Sequence, residues 1–101
     1  MSKRRPDFDT EDALVLTGER VTQWRRLLGL TQQQVADRAG ISRGAVVRLE
    51  GGDPGPSLDT FFRVLNALHI ADQVTGALDP LRTALGAARA EEQLPQRVRG
   101  G

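Results

Sequence analysis

The side chains best suited to chemistry lie in residues 31–50, TQQQVADRAGISRGAVVRLE. Gln32, Gln33 and Gln34 offer amide donors and acceptors, and Arg38, Arg43 and Arg48 offer planar guanidinium forks. Such a fork holds two acceptors at once, as on a carboxylate, a phosphate or a purine edge. Residues 16–50 carry six arginines (20, 25, 26, 38, 43 and 48) against Glu19, Asp37 and Glu50. Catalysis is a poor fit. No nucleophile stands with a base, His69 is the only histidine, and the chain has no cysteine. No metal site or cofactor is expected, and the chain reads as a non-enzyme. Gly51-Gly52-Asp53-Pro54-Gly55-Pro56 is rich in glycine, yet no strand precedes it and no Gly-Lys-Ser/Thr ends it. It is therefore a connecting loop and no nucleotide cradle.

Two short helices and a tight turn must position these groups. Thr31 followed three residues later by Gln34 is a capping-box pattern. Val35, Ala36 and Ala39 then share one helical face. Gly40 stands where a left-handed backbone ends the first helix at least steric cost, and Ile41 follows as an apolar plug. Ser42 is a good N-cap for the second helix. That helix turns Val46 and Leu49 inward and leaves Arg43, Gly44, Val47 and Arg48 on other faces. A small residue at position 36, glycine at 40 and Val46 let the two helices cross closely, which is the helix-turn-helix pattern.

The chain of 101 residues suits one compact domain with a small core, for which a dimer would add stability. The absence of cysteine excludes disulfides and fits a reducing cytosol. No apolar signal region opens the chain, and no apolar run approaches the ~20 residues that span a bilayer. A soluble, cytoplasmic protein without membrane contact is expected. Net charge is only +1, because four acids within residues 7–12 dilute the arginines. Thirteen arginines to one lysine also suit a GC-rich genome, so their number alone assigns no chemistry.

Along the chain, Lys3, Arg4 and Arg5 form a basic arm that either lies along a DNA groove or is a solvated tail. Residues 13–16, ALVL, read as a short strand or an early helical turn. A helix is expected over 17–28 with Val21, Trp24 and Leu28 inward. Ser57 caps a helix over 58–68 whose Leu58, Phe61, Phe62, Val64, Leu65 and Leu68 supply core. His69 falls at its end, where the backbone turns left-handed. Residues 70–78 read as a further helix. Asp79-Pro80 is a fresh helix start, followed by an apolar stripe of Leu81, Leu85 and Ala88 that offers a dimerisation surface. Pro95 stops that helix, and residues 96–101 form a basic tail.

LGLTQQQVA, AGIS and RLEGGDP stand in the order and spacing of the Cro/repressor (Xre) type of helix-turn-helix, which residues 16–78 resemble. The resemblance implies an all-α fold: a five-helix domain over 17–78, preceded by an arm (1–16) and followed by a C-terminal helix and tail (79–101). It implies a sequence-specific transcriptional repressor that binds double-stranded DNA at an inverted-repeat operator as a homodimer. The second motif helix would enter the major groove. By resemblance Arg43, Gly44 and Arg48 meet bases. Gln32 holds a phosphate, with Gln33, Thr31, Ser42 and the Gly51 loop as further backbone contacts. The resemblance also implies an ion pair between Arg25 and Glu50.

A narrower resemblance rests on ALVLTGERV, LEGGDPGPSLDTFFRVLNAL and EEQLPQRVR, which look like the HipB-type antitoxins. It implies an autorepressing dimer that also holds a HipA-like kinase toxin inactive. The alternative is a stand-alone Xre-type repressor, phage-derived or metabolic, without a toxin.

Overall fold

The computed structural model describes residues 9–93. Among the described residues there are six α-helices and no strand: α1 (Thr10–Leu27), α2 (Gln32–Ala39), α3 (Arg43–Glu50), α4 (Leu58–Ala67), α5 (Ala71–Ala77) and α6 (Ala84–Gln93), with a 3-10 turn at Pro80–Arg82. The chain divides into two compact units, one up to Ala71 and one from Asp72.

The first unit is held by interlocking helices. α2 packs on α3 and α4, and α1 packs on α3. Val21, Val35, Ala36, Ala39, Val46, Leu49, Val64, Leu65, Leu68 and Ile70 are its buried apolar residues, together with Ala67. Phe61 and Phe62 are half-buried and meet edge to face with centroids 5.4 Å apart.

Helix α1 starts at Thr10, seven residues before the expected start. Asp9 and Asp12 make a capping box: the Asp12 N–H donates to Asp9 Oδ1 at 3.0 Å, and the Asp12 carboxylate accepts from the Asp9 N–H. The acidic run is thus a helix start, and residues 13–16 are helical and not a strand. The longer helix turns Gly18 and Val21 inward, and its last residues leave the core. Leu28 is the C-cap and is 45% exposed, contrary to its expected place in the core.

Two further expectations are corrected. Leu58 is 70% exposed, because it occupies the first position of α4, before the helix meets α2. No continuous helix starts at Asp79. Its carboxylate caps the 3-10 turn through the Leu81 N–H, and α6 begins only after Thr83. The Thr83 hydroxyl donates to the Pro80 carbonyl and accepts from the Gly86 N–H, which separates the two elements. Residues 94–101, with the basic tail, and residues 1–8 lie outside the described residues.

Candidate nucleic-acid interface

The interface is built on α2, the turn after it, and α3. The Thr31 hydroxyl accepts from the Gln34 N–H at 3.0 Å, and Gln34 Oε1 accepts from the Thr31 N–H at 2.8 Å, so α2 starts on a closed capping box. Gly40 closes the helix at φ 71°, with its N–H on Asp37 and the Ile41 N–H on the Ala36 carbonyl. Ser42 then caps α3 by accepting from the Ala45 N–H at 3.1 Å. These local devices leave the N-terminal ends of α2 and α3 with the partial positive charge of unpaired helix amides, which favours anions.

Helix α3 buries Val46 and Leu49 and exposes Arg43, Gly44, Val47 and Arg48. Arg43 and Arg48 have no carboxylate partner among the described residues. Gly44 has open space around it: a Cβ there would meet only Arg48 Nη1 at 3.6 Å and Ser42 Oγ at 3.9 Å. The outer face of α3 is therefore two long cations around a bare stretch of backbone.

Behind that face sits a fixed polar network. Arg25 Nε donates to Glu50 Oε2 at 2.6 Å and Nη2 to Oε1 at 3.1 Å, a bidentate pair with side chains 11% and 6% exposed. Arg25 Nη1 also donates to the Leu30 carbonyl at 2.9 Å, which ties in the connection before α2. Burial alone would push the Glu50 carboxyl up. Hydrogen bonds from Arg25 and Gln32, with the Arg25 charge, outweigh it and hold Glu50 below its ordinary value.

Gln32 enters the same network by donating Nε2 to Glu50 Oε1 at 3.0 Å. Its amide is thus aimed from behind, with one N–H and the carbonyl oxygen left for an outside partner. Gln33 Nε2 donates instead to Asp37 Oδ1 at 2.9 Å, one turn along α2. The Thr31 hydroxyl is engaged in its cap. The Gly51 amide is spent too. It donates to the Val47 and Arg48 carbonyls, while Gly52 and Asp53 donate to Leu49 and Arg48, and Gly55 to Asp53 Oδ1. The amides of Gly51, Gly52, Asp53 and Gly55 in the loop after α3 thus all have internal partners. Lys3, Arg4 and Arg5 lie outside the described residues.

Gly18 is a supporting residue that the sequence alone does not single out. A Cβ at Gly18 would fall on the Glu50 carbonyl oxygen and lie 2.7 Å from that of Leu49. Only glycine lets α1 press its backbone against the end of α3, and that approach places Arg25 beside Glu50. Thr22, one turn on, donates to the Gly18 carbonyl at 3.0 Å. TGERV held the signal, but a glycine inside a helix reads as a weak point until its neighbour is known.

A model of the helix-turn-helix family matches residues 21–72, the span from the middle of α1 into α5. An "Uncharacterized HTH-type transcriptional regulator" of Methanothermobacter thermautotrophicus (strain Delta H) is 40% identical over 55 residues, which cover 52% of this chain and 80% of that protein.

Proposed function

Because this chain belongs to the helix-turn-helix family of DNA-binding transcriptional regulators, we propose that it is a sequence-specific repressor that reads an inverted repeat as a dimer. The observation that carries the reading is the α3 face, where exposed Arg43 and Arg48 flank Gly44 in front of the Arg25–Glu50–Gln32 network. Each guanidinium can take O6 and N7 of one guanine in the major groove, worth ~1–3 kcal/mol of discrimination. Gly44 brings the helix backbone close to the bases. Gln32, held at the first turn of α2, meets a phosphate together with that helix end, and so sets the depth of docking. Ser42 stands at the equivalent end of α3. Gln33 and Thr31 already have internal partners and are minor backbone contacts.

The unit from Asp72 supports the dimer. None of its α5 or 3-10 turn residues is buried, and Leu78, Leu81 and Leu85 are 74%, 57% and 65% exposed. A second copy would cover them, and a two-fold dimer sets its two α3 helices one DNA turn apart, about 34–36 Å. Among the described residues no helix is long and apolar enough to cross a membrane, and the cytoplasm is the proposed place of action. The finer form of the reading adds a HipA-like kinase toxin as partner, and its support is the likeness of the ALVLTGERV and LEGGDPGPSLDTFFRVLNAL runs to HipB-type antitoxins. A kinase-like gene beside this one, whose product binds the dimer, is the expected finding. Without it the stand-alone repressor holds.

Selection from a random duplex pool tests the main reading. The expected winner is an inverted repeat with guanines in each half-site, spaced by one turn. A pool that yields no enriched sequence would overturn specific recognition. Cutting the chain after Leu78 should leave a folded monomer by sedimentation, and an undiminished dimer would move the interface elsewhere.

A further inference from the structure

The helix ends of the first unit follow one rule with one exception. α1, α2 and α3 each close on a glycine at positive φ: Gly29 at 71°, Gly40 at 71° and Gly52 at 82°. In each, the next residue's N–H reaches back five positions, from Leu30 to Arg25, Ile41 to Ala36 and Asp53 to Arg48. α4 closes in the same way, with Ile70 on the Leu65 carbonyl at 2.9 Å and His69 on Asn66 at 3.0 Å. The residue in glycine's place is His69, at φ 62°. A side chain there strains the backbone where glycine would not.

His69 lines a cleft of ≈ 370 Å³ between α2 and α4. Arg38, Arg63 and Asn66 line it too, and Ala39 and Ala67, each 7% exposed, make a shallow apolar floor. Arg63 is aimed. Its Nε donates to Asp59 Oδ2 at 2.7 Å, one turn back, and its Nη1 lies 3.9 Å from where a Cβ on Gly40 would stand. That reach carries the guanidinium from α4 to the end of α2 and leaves its Nη donors for another acceptor. Arg38 has no carboxylate partner among the described residues. Arginines at the end of α2 also complement the helix dipole, which accounts for Arg38 and Arg63 without a ligand. It does not account for a histidine at positive φ in the same cleft.

We propose that this cleft binds the phosphate group of a small molecule. Arg38, Arg63, His69 and Asn66 all line it, and guanidinium forks match phosphate oxygens in pairs. Its volume is at the lower end of small-molecule sites, roughly 300–1,000 Å³. Arg38 stands six residues beyond Gln32 and so ~9 Å along α2 from the helix end proposed for DNA. The site would make the regulator responsive to a phosphorylated metabolite, independently of how α3 reads its operator.

Amide NMR of the full chain, titrated with inorganic phosphate at constant ionic strength, tests this. Saturable shifts are expected for residues 38–41 and 63–70. Arg38→Ala and Arg63→Ala should each weaken binding roughly tenfold. His69→Gly should raise Tm by a few degrees, because it relieves the backbone, and still weaken phosphate binding severalfold. Shifts that never saturate, or an affinity unchanged in His69→Gly, would overturn the proposal. So would a non-specific DNA duplex that displaces phosphate from these same amides, since the arginines would then belong to the DNA face.

Discussion

The two units of this chain are stabilised by different means. Up to Ala71, helices are short but interlocked, and every fully buried large side chain of the described residues, Leu65, Leu68, Val35, Val46 and Val64, lies there. From Asp72, the devices are local: Asp79 on Leu81, Thr83 on Gly86, and a tight turn against α6. Capping gives direction to a helix but contributes only about 1 kcal/mol, whereas burying a leucine contributes roughly 1.5–3 kcal/mol. A segment with caps and exposed leucines is therefore specified in shape but short of stability until another surface covers it.

Glycine substitutions give the sharpest contrast. Gly18→Ala would force α1 off the end of α3 and should cost about 4 kcal/mol, a fall in Tm of more than ~10 °C in thermal melts. Gly86→Ala is as crowded on paper, because its Cβ would fall on the Pro80 carbonyl. Its effect should stay within the second unit: an unchanged Tm for the first, with lost helicity and weaker dimerisation by sedimentation. Equal losses of Tm would show that the units unfold together.

Glu50→Ala comes next, at about 3 kcal/mol, because it leaves the Arg25 guanidinium buried without its partner. Despite burial, the Arg25 and Gln32 hydrogen bonds hold the folded carboxyl below its ordinary value of 4.5. Its contribution is thus complete above about pH 4.5 and is lost as pH falls through the lower folded value. Chemical denaturation against pH should show the gap between wild type and Glu50→Gln narrowing in acid. A gap that widens there would mean that the pair does not hold the carboxylate charged.

Arg43→Ala and Arg48→Ala should leave Tm unchanged and each cost ~1–3 kcal/mol of operator binding, with relaxed preference at one base pair per half-site. Uniform weakening across operator variants would demote them to phosphate contacts. Gln32→Ala should have the smallest effect, about 1 kcal/mol, spread evenly over specific and non-specific duplexes. Loss at a single base identity would place Gln32 in the groove.

Local features were open to reading from the residues alone. The Thr31–Gln34 box, the Ser42 and Ser57 caps and the left-handed turn at Gly40 need only a few neighbours, so adjacent residues reveal them. The Asp9–Asp12 box is equally local, but the run of acids in residues 7–12 hides it, and the expected start of α1 falls too late. The Arg25–Glu50 pair was accessible through the family pattern and not through spacing, because its partners sit on different helices.

Chain order alone sets the helical alphabet of this protein: where its central helices begin, where they must stop, and which face of α3 carries cations. Caps, glycines and apolar spacing act over one or two turns, and chain order contains all of that information. Tertiary structure alone decided that Gly18 is a contact point, that Gln32 is aimed by Glu50, that the Gly51 amide is already used, and that His69 shares a cleft with Arg38 and Arg63. Each of these depends on an atom supplied by a distant part of the chain. Such partners are brought within reach only when the buried faces of α1, α2, α3 and α4 close on one another, which no single helix encodes.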